Sequence, residues 1–389
     1  MTNSGYKKSY VFSAACIGMF LFGIVMISLG SILPEITQKF GLNEVNTGYL
    51  LTLLPSGILV GSFVFGPLVD WLSYKKILIA GSILTLLGLE GIVFSQRLTV
   101  LHISVFGIGL GGGILNGVTN ALISEISDED RSANLSLLGV FFGIGALGTP
   151  VILAFYKDIY SFETILGLLG AFILLPILFF LVSRFPKSAE TKGLPIREGL
   201  KMAKDPILLL FGGILFFQSG LEGLTNNWTT TYIEVKKELS ASNALFILSS
   251  FVGALTLARL ILGKILRVFN PFKILVGGYM IAFLGCLCLL YGHTFYTSIG
   301  GMIMIGLGLA AGFPVVLGYI GQMYTYLSGT AFSIVITIAL IGNVIANYAM
   351  GLISQEFGIG VFPNFLIVAV LAIFMMLFIT KRKYSEIIN

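Results

Sequence analysis

Within an otherwise apolar chain, amide and acidic side chains recur at a spacing that could recognise a polar ligand. Gln218, Glu222 and Asn226 follow one another at intervals of four, with Asn227 and Trp228 immediately after. Asn116 and Asn120 repeat the interval, and so do Asn343 and Asn347. Residues four apart share one face of an α-helix, so each set forms a polar stripe. An amide both donates and accepts hydrogen bonds, which suits vicinal hydroxyls, and an indole can cover the apolar face of a sugar ring. The same amides could instead tie helices together, at about 0.6 kcal/mol for each interhelical bond. For Asn343 and Asn347 the two readings are equally balanced.

Two carboxylates lie well inside apolar stretches, Glu90 and Glu222. A desolvated carboxyl favours its neutral form and can therefore carry a proton. Glu222 shares its face with the amides, so it is the preferred proton-coupling residue, with Glu90 second. Arg259, also inside an apolar stretch, requires a counter-charge or a cluster of carbonyls. No phosphate-binding glycine loop is present, so an ion gradient of protons or sodium is the expected driving force and no cofactor is expected. His102 and His293 stand apart from carboxylates, and Cys16, Cys286 and Cys288 lie in apolar segments without metal-ligand spacing. An enzyme should bring together a nucleophile, a base or metal ligands, and a sensor should carry a soluble domain. Neither is evident.

The elements that must position these residues are membrane helices. Of 389 residues, 56% are apolar and only 11% charged, against roughly a quarter charged in soluble domains. Mean hydropathy is +0.98. Stretches near the ~20 residues needed to cross a bilayer recur throughout. They predict twelve helices at 10–33, 45–69, 76–95, 99–124, 133–156, 161–184, 206–232, 243–268, 272–293, 296–322, 327–352 and 359–380. The first is read as a spanning helix rather than a cleaved signal. A basic segment, 185–205, divides an N-terminal half (1–184) from a C-terminal half (206–389).

Seventeen of the 23 lysines and arginines fall on one side of the predicted spans and five on the other, Arg259 lying within a span. That bias places both termini and the middle segment in the cytoplasm of a bacterial inner membrane. It also accounts for the net charge of +5 without nucleic acid. An internal repeat is visible. Gly66, Asp70, Lys76 and Gly81 recur as Gly263, Arg267, Lys273 and Gly278, each 197 residues later, and the glycine-rich 107–113 recurs at 306–312. The expected fold is therefore all-α, with two six-helix bundles related by a pseudo-two-fold axis.

The segment Gly66-Pro-Leu-Val-Asp70-Trp-Leu-Ser-Tyr-Lys-Lys76 resembles the cytoplasmic loop signature of the major facilitator superfamily, with Ser73 where a glycine is usual and Trp71 where an arginine is common. The resemblance implies a cytoplasmic gate of Gly66, Asp70 and Lys76. Glu125 and Arg131 are similar to the family's second set of gate charges, and Arg267 stands at the repeat of Asp70. Arg131 to Pro150, and Glu222 with Trp228 and Tyr232, resemble the fucose–galactose–glucose symporter branch. Gly143 to Pro150 also resembles a glycine–proline signature of drug antiporters. Gln218-Ser-Gly-Leu-Glu222 looks like the sugar-contacting part of helix seven in sugar porters.

The resemblance implies a substrate cavity near the bilayer midplane, lined by helices one, four, seven and ten. Fucose-type symporters carry a carboxylate on helix one, and here Tyr10 to Leu33 holds none. The expectation is a secondary transporter of a small neutral polar solute, a sugar, by alternating access with proton symport, acting as a monomer. A drug or amphipathic-metabolite exporter of the same superfamily is the alternative.

Overall fold

A computed structural model describes residues 6–126, 131–186, 202, 204–266, 268–324 and 328–383. Among them are twelve helices long and apolar enough to cross a membrane. They run Lys8–Ser31, Glu44–Phe65, Tyr74–Val93, Leu98–Ile123, Leu137–Tyr156, Phe162–Val182, Pro206–Lys236, Ala241–Ile265, Pro271–Tyr291, Phe295–Met323, Ile334–Phe357 and Ile359–Arg382. They are called the first to the twelfth span below. Lipid cannot satisfy backbone polar groups, so a helix, which bonds its own, is the form such segments take. Much of the predicted basic segment, and Arg267 entirely, lie outside the described residues.

Three departures from continuous spans have local causes. The sixth span is two helices, Phe162–Phe172 and Leu174–Val182, and the tenth is Phe295–Leu309 followed by Gly312–Met323. Each break ends three residues before a proline, Pro176 and Pro314. Proline lacks the N–H that would bond the carbonyl four residues back and its ring crowds that carbonyl, so the helix opens there. The third departure is an added helix, Leu33–Phe40, after the first span. Gly41 ends it at φ +59°, a left-handed conformation natural to glycine. Two ion pairs hold this helix: Lys157 to Glu35 at 2.6 Å and Lys39 to Glu163 at 3.3 Å.

The chain forms two compact units, Met1–Leu42 with Leu53–Thr191, and Asn43–Thr52 with Lys192–Asn389. The start of the second span thus groups with the later helices, where Gly48 packs on Gly351. In the first unit the first span is the centre, packed on the fourth and fifth, and two thirds of its most apolar stretch is buried. In the second unit the seventh span is the centre, packed on the eighth, eleventh and twelfth. The outward-facing positions remain apolar, as at Phe63, Leu168, Val182 and Phe378, as a lipid-facing surface requires.

Membrane helices attract one another by close packing, and small residues set how close they come. At Gly145 a Cβ would stand 2.0 Å from the carbonyl oxygen of Phe20, and at Gly23 one would stand 2.2 Å from that of Phe142. The glycines of the Gly143–Pro150 stretch therefore include one that seats the fifth span on the first. Gly145→Ala is expected to destabilise the protein by about 1–3 kcal/mol, the usual cost of overpacking. Gly139→Ala, where nothing lies within 4 Å, is expected to change stability little. Denaturant titration of both variants in mixed micelles checks this.

Candidate functional site

The polar side chains singled out above fall into several separate networks, and the richest lies within the second unit. The seventh span starts at Pro206, whose fixed φ suits a first helical position, with Asp205 capping the Ile207 N–H at 2.8 Å. From there 31 residues run without interruption. Gln218 and Glu222 consequently meet one turn apart, the Gln218 Nε2 donating to Glu222 Oε1 at 2.7 Å. The same Oε1 accepts from the Arg259 guanidinium on the eighth span at 2.9 Å. The counter-charge that Arg259 requires is thus Glu222. Their side chains are 30% and 17% exposed, so the pair is neither dry nor fully solvated.

Gln218 is the hub and is wholly buried. Its Nε2 also donates to the Leu309 carbonyl at 2.9 Å, and its Oε1 accepts from the Tyr279 hydroxyl at 2.7 Å. The orientation of the amide is determined by these partners: a carboxylate and a carbonyl can only accept, so both must face the NH2 end. Leu309 is the last residue of the first half of the broken tenth span. Gly312 starts the second half, and a Cβ there would stand 2.5 Å from the Gln218 side chain and 2.8 Å from the Tyr279 hydroxyl. One carboxamide therefore links the ion pair, the ninth span and the break in the tenth. Tyr279 and the break were not evident beforehand. Nothing separates Tyr279 by pattern from the other tyrosines, whereas Pro314 was a visible signal for the break.

A second network joins the seventh and eleventh spans. Asn347 Oδ1 accepts from Asn227 Nδ2 and from Trp228 Nε1, both at 3.1 Å. Its Nδ2 donates to Asn343 Oδ1 at 2.8 Å and to the Asn343 carbonyl at 2.9 Å. Asn343 in turn donates to the Ser219 carbonyl at 3.2 Å. The bonding capacity of Asn347 is used up inside the protein, and Trp228 is only 1% exposed. In this structure the four residues are a clasp between helices. Gly223 makes room for it, since a Cβ there would fall 2.4 Å from the Asn343 amide.

Asn226 differs. It is 7% exposed, lies one turn beyond Glu222, and its Oδ1 is buried without a hydrogen-bond partner among the described residues. Buried polar atoms are nearly always paired, and each exception calls for an explanation.

The other candidates sit in the first unit. Asn120 donates to Asn116 Oδ1 at 3.0 Å and to its carbonyl at 2.8 Å, and both are half-buried on the fourth span. Glu90, on the third span, lies against two glycines of the sixth, close enough that a Cβ on Gly170 would stand 2.4 Å from its Oε1. Of the expected gate, Glu125 accepts from the Tyr74 hydroxyl at 2.6 Å, joining the fourth span to the third, and Lys76 is exposed at the start of the third. Gly66 and Asp70 lie on the helix Glu44–Trp71, and Arg131 begins Arg131–Tyr156. The side chains of Asp70 and Arg131 are outside the described residues.

Two predictions separate the networks. Asn347→Ala strands the Asn227 and Trp228 donors and is expected to destabilise the protein by about 1–2 kcal/mol. Asn226→Ala removes a side-chain oxygen without a hydrogen-bond partner among the described residues and is expected to leave stability within about 0.5 kcal/mol of wild type. Unfolding curves in detergent decide both. Glu222→Gln leaves Arg259 without its counter-charge and is expected to cost about 1–3 kcal/mol, part of which Glu222→Gln/Arg259→Met restores. The same measurement serves as the check, and a double variant weaker than the single would contradict the pairing.

Comparison with known proteins agrees with this architecture. The chain is 24% identical over 375 residues to a protein TsgA homolog of Buchnera aphidicola from Schizaphis graminum, covering 93% of this chain and 94% of that one. It is 24% identical over 349 residues to the uncharacterized transporter y4wD of Sinorhizobium fredii, covering 87% and 89%. Among solved structures, a form of the nucleoside transporter NupG superposes with a TM-score of 0.80 at 13% identity, over 97% of this chain and 99% of that one. A bacterial homolog of the human lysosomal transporter Spinster does so with a TM-score of 0.79 at 13% identity, over 98% of each. At these identities the structures speak for the fold alone. Residues 15–305 match the family model of the Major Facilitator Superfamily, and the chain belongs to that superfamily: it is a multi-pass membrane transporter of small molecules, not an enzyme.

Proposed function

We propose that this transporter moves a small neutral polar solute, a sugar, by alternating access with proton symport, and that the seventh span carries both ligand recognition and coupling. The observation that carries the reading is the Oδ1 of Asn226, without a partner among the described residues and buried on the face that also bears Gln218 and Glu222. A buried acceptor in an apolar span is satisfied by a donor arriving with the substrate, and a sugar hydroxyl is such a donor. Charged ligands are less well matched, because Glu222 and Arg259 already neutralise one another.

Coupling follows from competition for Glu222. In the ion-paired state its carboxylate accepts from Arg259 and Gln218. A proton taken up from water by that carboxylate removes its charge and weakens both bonds. Gln218 is then held by Leu309 and Tyr279, so the change is felt at the break in the tenth span. Release of the proton on the other side restores the pair. In this reading Asn116 and Asn120 remain candidate binding residues of the first unit, and Glu90 remains the second candidate proton carrier. Asn227, Trp228, Asn343 and Asn347 support the site by fixing the seventh span on the eleventh. A carboxylate on the seventh span takes the role that the fucose-type branch assigns to the first.

The remaining expectations stand with this proposal. The lysine and arginine bias supports an inner-membrane location with both termini cytoplasmic. Gly66, Asp70, Lys76, Glu125, Arg131 and Arg267 are proposed as its cytoplasmic gate. The transporter is proposed to work as a monomer on an ion gradient, without an organic cofactor.

Proteoliposomes with an imposed proton gradient test the mechanism. Wild type is expected to accumulate at least one labelled monosaccharide, and Glu222→Gln to lose accumulation by tenfold or more, about 1.4 kcal/mol of driving force, while still exchanging sugar across the bilayer. Accumulation driven by sodium alone would overturn proton coupling. Undiminished accumulation by Glu222→Gln would remove Glu222 from it, and transport of no monosaccharide would sink the sugar reading.

A further inference from the structure

At one end of the first unit, where the first span begins and the sixth finishes, a cavity of ≈ 530 Å3 opens between Tyr6, Lys7, Tyr10, Phe179, Val182 and Arg184. Its chemistry is one-sided. Lys7 and Arg184 supply two cations, and none of the lining residues is acidic. Ser183, also in the wall, donates its hydroxyl to the Phe179 carbonyl at 2.7 Å, so it contributes no free donor. Neither cation has an ion-pair partner among the described residues, and Lys7 rests over the Tyr10 ring at 5.5 Å.

Lys7 is also the N-cap residue of the first helix, Lys8–Ser31, whose first turn contains no acidic side chain. The partial positive charge of that helix end adds to the two cations. The other wall is apolar: Val182 is 80% exposed. A site lined by cations and tyrosines with an apolar flank has the layout of a membrane interface.

We propose that this cavity is a binding site for a phosphate group, held by Lys7 and Arg184 with the Tyr6 and Tyr10 hydroxyls available as further donors. An anionic phospholipid headgroup and free inorganic phosphate share that chemistry. The apolar flank of Val182 and Phe179 gives an acyl chain somewhere to lie, which free phosphate does not need. The site is independent of the seventh-span network and of the sugar reading.

The test uses delipidated full-length protein in detergent, titrated with phosphatidylglycerol, with phosphatidylcholine and, at matched ionic strength, with inorganic phosphate against chloride. Bound lipid is read by native mass spectrometry and stabilisation by thermal midpoint. Each basic residue facing an anionic headgroup contributes about fivefold in affinity, so Lys7→Gln/Arg184→Gln is expected to bind phosphatidylglycerol about 25-fold more weakly. Lys7→Arg/Arg184→Lys keeps both charges and is expected to keep most of the binding, which guards against a folding defect. A response to inorganic phosphate over chloride that the Gln variant loses supports the site and identifies its source as aqueous. The proposal is overturned if that variant matches wild type within about twofold towards both phosphatidylglycerol and inorganic phosphate. It is overturned equally if the charge control Lys264→Gln/Lys273→Gln loses as much, or if wild type responds to neither anion.

Discussion

In a span surrounded by lipid, a polar side chain has no water to fall back on, and its partner must come from the protein or from a ligand. Gln218 is where that constraint acts most strongly. It is fully buried, and its carboxamide is shared among Glu222, the Leu309 carbonyl and the Tyr279 hydroxyl. Three spans besides its own meet there, counting the Arg259 that reaches Glu222. The break in the tenth span is part of the same arrangement, because a helix interrupted inside the membrane exposes carbonyls, and Gln218 satisfies one of them.

The clasp of Asn227, Trp228, Asn343 and Asn347 obeys the same rule in another way. Its members bond to one another, and all the hydrogen-bonding capacity of Asn347 is taken up between the two helices. Asn226, one residue away on a different face, has a side-chain oxygen without a partner among the described residues. Within a single helix, one stripe is saturated and the other is not. Satisfaction by neighbours, rather than residue type, divides helix glue from candidate recognition. Close helix packing complements this: Gly223 and Gly312 exist as glycines where an amide or hydroxyl needs the space a Cβ would take.

Much of this was legible in the residues themselves. Twelve spans follow from apolar length, since only about 20 consecutive apolar residues can replace water across the hydrocarbon. The four-residue spacing of Gln218, Glu222 and Asn226 is a property of the helix and needs no tertiary information. Interruptions at 173 and 310–311 were less legible, although Pro176 and Pro314 signalled them, because a proline in a membrane helix is often accommodated by neighbours. The helix Leu33–Phe40 was missed because it is too short and too polar to register as a span.

The sequence alone determined that this is a membrane protein of twelve spans, that the seventh span holds its most concentrated polar face, and that Arg259 requires a counter-charge. Those are consequences of hydropathy and of helical periodicity, both local. Only the tertiary structure decided that Glu222 is the partner of Arg259, 37 residues away, that Tyr279 and the Leu309 carbonyl share Gln218, and that Asn343 and Asn347 are consumed in a clasp. Which amide bonds which neighbour depends on how helices rotate and approach one another. That is set by packing between segments distant in the chain, and no local pattern encodes it.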